Sequence, residues 1–129
     1  IMLNKIEANE APQINGDGSQ AYDFIYVEDV AKSNVDALLS DVELGFYNVG
    51  TEVQTSIKEL CDTILSLKES PLEVVYKPYS VDDARQLVQN RIGSRKKAEE
   101  ELAFKYQYSL EQGLQKLIDW RVTQGIDKA

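Results

Sequence analysis

Five basic side chains and no acidic one lie between positions 85 and 97 of this 129-residue chain. An arginine guanidinium is a planar fork that matches two phosphate oxygens at once, so arginine-rich segments often bind phosphate. The chain as a whole is acidic, with 22 Asp and Glu against 14 Lys and Arg and a formal charge of -8. A cationic segment inside an acidic chain is therefore a candidate phosphate site. Its members are Arg85, Arg91, Arg95, Lys96 and Lys97.

The same segment has a second interpretation as the solvated start of a helix. Three glutamates, at positions 99 to 101, follow within one helical turn and could neutralise the basic side chains. This interpretation is favoured for Lys96 and Lys97. For Arg85 and Arg91, which lie before the expected helix, both interpretations stay open.

The residue combinations that carry bond-making chemistry are missing from the sequence. The chain has no His, and no Tyr is followed by a Lys four residues later. Gly16 and Gly18 lack the third glycine of a dinucleotide fingerprint and precede a strand pattern. Cys61 lies on an apolar helical stripe, which favours a packed thiol over a nucleophile. The sequence therefore predicts no catalytic residue, no cofactor site and no metal site in this chain.

The composition of the chain argues against nucleic acid and membranes as binding partners. A net acidic chain is a poor match for nucleic acid, and no apolar run approaches the roughly 18 residues of a membrane span. A single Cys excludes an internal disulfide and fits a cytoplasmic setting.

The chain opens on Ile1, and Met2, Leu3 and Ile6 have helical spacing. This start favours excision from a longer chain; the alternative is one extra residue before a native Met2.

Helix and strand patterns alternate along the chain, which indicates an α/β fold. Residues 12–20 have turn chemistry, and residues 78–93 are expected to be irregular. The pattern predicts three or so short strands and four to five helices in a single domain over residues 1–129. This number of strands is too small for a complete Rossmann domain. Expected strands cover 24–27, 46–49 and 72–77; expected helices cover 2–9, 29–40, 57–70, 94–102 and 110–122.

The expected helices carry recognisable start signals and apolar stripes. Ser56 with Glu59, and Ser109 with Gln112, have the spacing of capping boxes. The helix after position 28 is expected to turn its apolar side chains inward. These are Val30, Val35, Leu38 and Leu39.

Five segments in this order resemble a known family. They are GDGSQAYDFIYVEDVA (16–31), FYNVGT (46–51), TSIKEL (55–60), KKAEEELAF (96–104) and SLEQGLQKLIDW (109–120). They resemble the C-terminal part of the extended short-chain dehydrogenases/reductases, in particular the NAD-dependent nucleoside-diphosphate-sugar epimerases and dehydratases. The resemblance implies a small substrate-binding lobe, whose N-terminal Rossmann domain would hold NAD and the catalytic Tyr-x-x-x-Lys pair. This chain would then bind no NAD itself.

The binding residues of the family match this chain only in part. Gln20 matches the family pattern, but Tyr22 stands where the family often has an Arg that binds the diphosphate. A phenol can donate a hydrogen bond but cannot neutralise charge. A second family Arg maps to Ser80 when counted from Pro78 and nearer Arg91 when counted back from Lys97. The cationic segment favours Arg85 and Arg91 as the residues that take this role.

Two further positions, Asn48 and Asp29, match the family, and a third, Ala103, departs from it. Asn48 matches the Asn of Asn-Val-Gly and could contact ligand or bond to nearby backbone. Asp29 matches an Asp that opens a helix, which favours a cap. Ala103 replaces a Gly, so a left-handed helix end there would cost roughly 1 kcal/mol. The alternative is a helix end of another conformation.

The resemblance implies binding of a nucleoside-diphosphate sugar, with the chain inactive alone. A 4-epimerase is favoured for the parent enzyme, ahead of a 4,6-dehydratase or a decarboxylase. A non-catalytic interaction module that keeps the lobe fold is the alternative. Partners are expected to be the chain's own N-terminal Rossmann domain and, through the apolar face that this domain would cover, a second copy of the lobe.

Overall fold

The computed structural model describes residues 1–79 and 88–126. Those residues form five helices and five strands of two or three residues each. The structure confirms the small α/β fold that the sequence predicts. The helices are α1 (Met2–Glu7), α2 (Val27–Leu39), α3 (Ile57–Leu67), α4 (Lys96–Leu102) and α5 (Leu110–Gln124). The strands are β1 (Gln13–Asn15), β2 (Ala21–Asp23), β3 (Gln54–Ser56), β4 (Val75–Lys77) and β5 (Asn90–Arg91).

The strands form two small sheets. β1 pairs with β4 in parallel, with Ile14 opposite Tyr76. β2 lies between β3, which is antiparallel to it, and β5, which is parallel to it. Parallel pairing joins segments that are far apart in sequence. The cationic segment thus meets the chain that follows the Gly-Asp-Gly turn.

Helices α3 and α5 begin at the predicted capping boxes. Ser56 Oγ accepts from the backbone amide of Glu59 (3.1 Å), and Glu59 Oε2 accepts from the amide of Ser56 (2.7 Å). The amide and the hydroxyl of Ser56 both donate to the Glu59 carboxylate and hold its pKa below the ordinary value. Ser109 and Gln112 form the same reciprocal pair at the start of α5. Both predictions are confirmed.

The core lies where α1, α3 and α5 meet. Leu3 and Ile6 from α1 pack in one cluster with Ile64 from α3 and Ile118 from α5. Cys61 is fully buried on α3, and burial raises the pKa of its thiol. A buried thiol with a raised pKa has little thiolate at neutral pH. The structure confirms the packed-thiol interpretation.

Two strand predictions were wrong. The strand expected over 24–27 lies earlier, at Ala21–Asp23, and α2 already begins at Val27. Residues 46–49 form no strand, and Phe46 is 87% exposed rather than buried. A strand needs a hydrogen-bonded neighbour. None of the backbone amides of residues 46–49 donates to a backbone carbonyl within the described ranges.

The inward face of α2 was also predicted wrongly. Leu38 and Leu39 are 82% and 78% exposed, and the buried positions are Asp29 and Ser33. Asp29 does not cap the helix, which begins two residues before it. Its carboxylate instead accepts hydrogen bonds from the backbone amides of Gln107 (2.9 Å) and Tyr108 (3.2 Å). Asp29 therefore ties α2 to the chain before α5, and the apolar side of the helix is left outward.

Helix α4 ends in a left-handed residue, which is one of the two helix ends that the sequence left open. Ala103 has φ 53° and ψ 28°, and the amide of Phe104 donates to the carbonyl of Ala98 (3.1 Å). A Cβ is disfavoured at this φ, where glycine is not. We expect Ala103→Gly to raise the free energy of unfolding by about 1 kcal/mol, measured by urea denaturation.

Ala98→Gly is the matched control for that substitution. Ala98 lies inside the same helix and is fully buried. Glycine there loses helix propensity and packing, so the free energy of unfolding is expected to fall by about 1 kcal/mol or more. A loss of stability in both variants would contradict the proposed strain at Ala103.

Candidate functional site

A cleft opens beside the Gly-Asp-Gly turn. Its volume is about 650 Å³. Tyr22 on β2 and Gln20 just before it form part of the cleft wall. Arg91 of β5 and Tyr79, which follows β4, also line the cleft. A cleft of this size suits a ligand larger than a single phosphate.

The turn that precedes β2 is held in place by local hydrogen bonds. Gly16 and Gly18 have φ angles of 77° and 76°, which glycine adopts without strain. Asp17 Oδ1 accepts from the amide of Ser19 (2.9 Å). Hydrogen bonds from the hydroxyl and the amide of Ser19 lower the pKa of the Asp17 carboxyl. The amide of Lys58 donates to the carbonyl of Gly18 (3.1 Å). The turn is therefore anchored to the start of α3, and Gln20 leaves it in a fixed direction.

Tyr22 and Arg91 are direct neighbours across the sheet. They are paired in the register of β2 and β5, and both line the cleft. Tyr22 Oη donates to Gln20 Oε1 (3.4 Å), which joins the two predicted β2 residues into one polar wall. The strand pairing thus puts a guanidinium beside the position where the sequence has a phenol.

The other described cations of the segment are paired elsewhere. Arg95 Nε contacts Glu99 Oε1 (2.7 Å), and the Arg95 guanidinium stacks on the ring of Tyr106 with its carbon 4.9 Å from the ring centroid. Lys96 pairs with Glu100 (3.7 Å), and Lys97 pairs with Glu101 (4.0 Å). The helix-start interpretation is thus confirmed for Lys96 and Lys97.

Asn48 is not part of this group, and Arg85 lies outside the described residues. Asn48 lies at a separate hollow of about 270 Å³, where its side-chain amide donates to the carbonyl of Ser94 (3.4 Å) and packs beside Gly93. This position favours the structural interpretation of Asn48, a bond to nearby backbone.

Two lining residues were missed by sequence reasoning. Lys5 of α1 adds a second cation to the cleft, and Tyr79 adds an aromatic ring. No carboxylate belongs to the described lining of the cleft. The position of Tyr79 directly after the third predicted strand was the only signal in the sequence that could have singled it out.

Comparisons with known proteins identify the relatives of this fold. The sequence profile of the NAD dependent epimerase/dehydratase family matches residues 1–50. The UDP-glucose 4-epimerase of Mycolicibacterium smegmatis is 31% identical over 120 residues, which cover 93% of this chain and 37% of the relative. The UDP-glucose 4-epimerase of Thermotoga maritima, solved with UDP-glucose, superposes with a TM-score of 0.85 at 28% identity, over 95% of this chain and 38% of that one.

The chain belongs to the NAD-dependent epimerase/dehydratase family. It spans little more than a third of the length of the curated relatives it matches.

Members of this family that resemble the chain differ in activity. The UDP-N-acetyl-alpha-D-glucosaminuronate decarboxylase of Bacillus cytotoxicus is 30% identical over 109 residues, which cover 83% of this chain and 34% of the relative. Similarity to this chain therefore extends to both epimerases and decarboxylases.

In the described ranges, no helix is both long and apolar enough to cross a bilayer.

The Gly-Asp-Gly turn differs from the glycine-rich turn that binds a dinucleotide. A dinucleotide pyrophosphate binds where a glycine-rich turn opens a helix. Here the turn at Gly16 and Gly18 leads from β1 into strand β2. The described turn therefore does not offer a helix N-terminus to a pyrophosphate.

Proposed function

We propose that this chain is the C-terminal substrate-binding lobe of an NAD-dependent nucleoside-diphosphate-sugar epimerase. The observation that carries the proposal is the meeting of Gln20, Tyr22 and Arg91 in one cleft. Arg91 supplies the charge that a diphosphate needs, and Gln20 and Tyr22 supply neutral hydrogen-bonding groups. The lobe is catalytically incomplete alone and binds no NAD.

UDP is the favoured nucleotide, and 4-epimerisation is the favoured reaction of the parent enzyme. The M. smegmatis and T. maritima relatives are both UDP-glucose 4-epimerases. A 4,6-dehydratase or a decarboxylase remains the alternative within the family. The hydride-transfer chemistry would be supplied by NAD on the N-terminal domain, and the lobe would hold the substrate against it.

Calorimetric titration with UDP-, GDP- and dTDP-glucose tests this function. We expect UDP-glucose to give the largest binding heat and NAD to give none. Tight NAD binding by the chain would contradict the assignment to a substrate lobe.

A non-catalytic interaction module is the second candidate. Tyr22 favours it, because the phenol stands at a position where the family often has a diphosphate-binding Arg. The titration separates the two candidates: the module predicts no heat with any of the three nucleotide sugars, while the chain remains folded by circular dichroism.

An exposed apolar surface supports docking of a Rossmann domain on this lobe. Leu38, Leu39, Leu44 and Phe46 are 78–87% exposed, although they lie within nine residues of one another. Clustered exposure of large apolar side chains marks an interaction surface. Residues 46–49 also have strand-forming side chains without a backbone partner among the described residues. We name Leu38, Leu39, Leu44 and Phe46 together the α2 surface and propose that the N-terminal domain covers this surface.

Self-association of the chain follows from the α2 surface. We expect concentration-dependent dimers or larger species in light scattering, because each copy buries its apolar patch against another. Phe46→Asp should make the chain more monomeric. Val122→Asp, at an exposed apolar position on α5, is the control and should leave association unchanged. A clean monomer of the unaltered chain at high concentration would contradict the prediction.

A further inference from the structure

Tyr79 packs its ring on the turn at the edge of the cleft. The amide of Gly16 donates to the carbonyl of Lys77 (2.7 Å), the last residue of β4, so the chain carrying Tyr79 runs beside the turn. A Cβ at position 16 would overlap the ring of Tyr79. Glycine at this position therefore lets an aromatic ring lie directly on the backbone.

Hydrogen bonds fix the direction of this ring. Gln20 Nε2 donates to Tyr79 Oη, and Gln20 Oε1 accepts from Tyr22 Oη (3.4 Å). Both ends of the Gln20 amide are thus engaged by phenols. Partial burial raises the pKa of the Tyr79 hydroxyl, so the side chain is neutral at pH 7.

The contacts define an order of chemical groups along the wall. The hydroxyl of Tyr79 accepts from Gln20, Gln20 accepts from Tyr22, and Tyr22 is paired across the sheet with Arg91. A flat apolar group therefore comes first and a guanidinium last. A nucleoside diphosphate has the same sequence of groups, with an aromatic base and an anionic diphosphate joined by a polar ribose.

We infer that Tyr79 is the platform on which the base of the bound nucleotide stacks, while Arg91 holds the diphosphate. This inference rests on the proposed function and adds the recognition of the base. Stacking on an aromatic ring accepts any base, because each base has a flat π face. The ring is held from behind by Gly16 and at its hydroxyl by Gln20, so little ordering is needed when the base binds.

Two substitutions separate stacking from the support of the turn. Tyr79→Phe keeps the ring and removes the hydroxyl. Tyr79→Leu keeps apolar cover over Gly16 and removes the aromatic face. UDP, UDP-glucose and inorganic pyrophosphate are titrated into each protein by isothermal calorimetry, and thermal unfolding confirms that each variant is folded.

We expect Tyr79→Leu to weaken UDP binding about tenfold or more, since stacking of one base has an effect of that order. Pyrophosphate binding should change less than about twofold, and Tyr79→Phe should keep UDP binding within about threefold. Equal losses for UDP and pyrophosphate, or no loss for either, would overturn the inference. A loss for UDP-glucose alone, with UDP unchanged, would place the ring against the sugar and would also overturn it.

The unaltered protein distinguishes failure of the inference from failure of the proposed function. Equal affinity for UDP and pyrophosphate would overturn the base platform and leave the anion site in place. Absence of binding for both ligands would overturn the proposed function together with the inference.

Discussion

Replacement of Arg121 by alanine is expected to lower the free energy of unfolding by about 2–3 kcal/mol. Arg121 on α5 forms a two-pronged ion pair with Glu7 on α1, with its Nη2 atom 2.5 Å and its Nε atom 3.1 Å from Glu7 Oε2. The side chain of Glu7 is only 5% exposed. Loss of the arginine leaves a nearly buried carboxylate with Lys68 alone, at 3.8 Å.

Urea denaturation checks this prediction against a matched ion pair on the surface. Lys58 and Asp62 on α3 are 2.5 Å apart, but their side chains are 54% and 48% exposed. Lys58→Ala should cost less than about 0.5 kcal/mol, because exposed pairs contribute little. Equal losses in the two variants would show that Glu7 does not depend on Arg121.

Replacement of Arg91 by alanine is expected to weaken UDP binding about tenfold or more, since a hydrogen bond to a charged group contributes about 1.5–3 kcal/mol. Tyr22 is its neighbour across β2 and β5. We expect the double variant Arg91→Ala with Tyr22→Arg to recover most of the affinity, because it returns a guanidinium to the same part of the cleft. Calorimetry with UDP measures both effects.

Lys96→Ala is the control for charge in the same segment. Lys96 is 77% exposed and pairs with Glu100, so its loss should leave UDP affinity nearly unchanged. Similar losses for Lys96→Ala and Arg91→Ala would point to a general charge effect. No loss for Arg91→Ala would remove Arg91 from the proposed site.

Local signals predicted the helices well because a helix is specified by its own residues. The capping boxes at Ser56 and Ser109 lie within four residues of sequence, and both are present in the structure. At Ala103 the sequence indicated where the helix would end but left open whether that end would be left-handed. Such features need no knowledge of distant chain.

The strands and the face of α2 depend on partners that local sequence does not identify. β2 and β5 have three and two residues, and each is defined by its pairing across the sheet. α2 carries its apolar residues outward because Asp29 finds two backbone amides on the inner side. A hydrophobic stripe alone could not show which side was covered.

Three of the candidate residues that were selected from the sequence lie together in the cleft. Gln20, Tyr22 and Arg91 were selected from the sequence, but their closeness follows from a parallel pairing that no motif indicates. Tyr79 was missed because its role depends on the missing Cβ of Gly16 across two strands.

Titration of the isotope-labelled chain with UDP, followed by NMR, tests most directly whether this cleft binds a nucleoside diphosphate. We expect saturable shifts centred on the amides of Gln20, Tyr22 and Arg91, with no matching shifts at the Asn48 hollow. Absence of saturable shifts at millimolar UDP, or shifts confined to the α2 surface, would contradict the proposed substrate site.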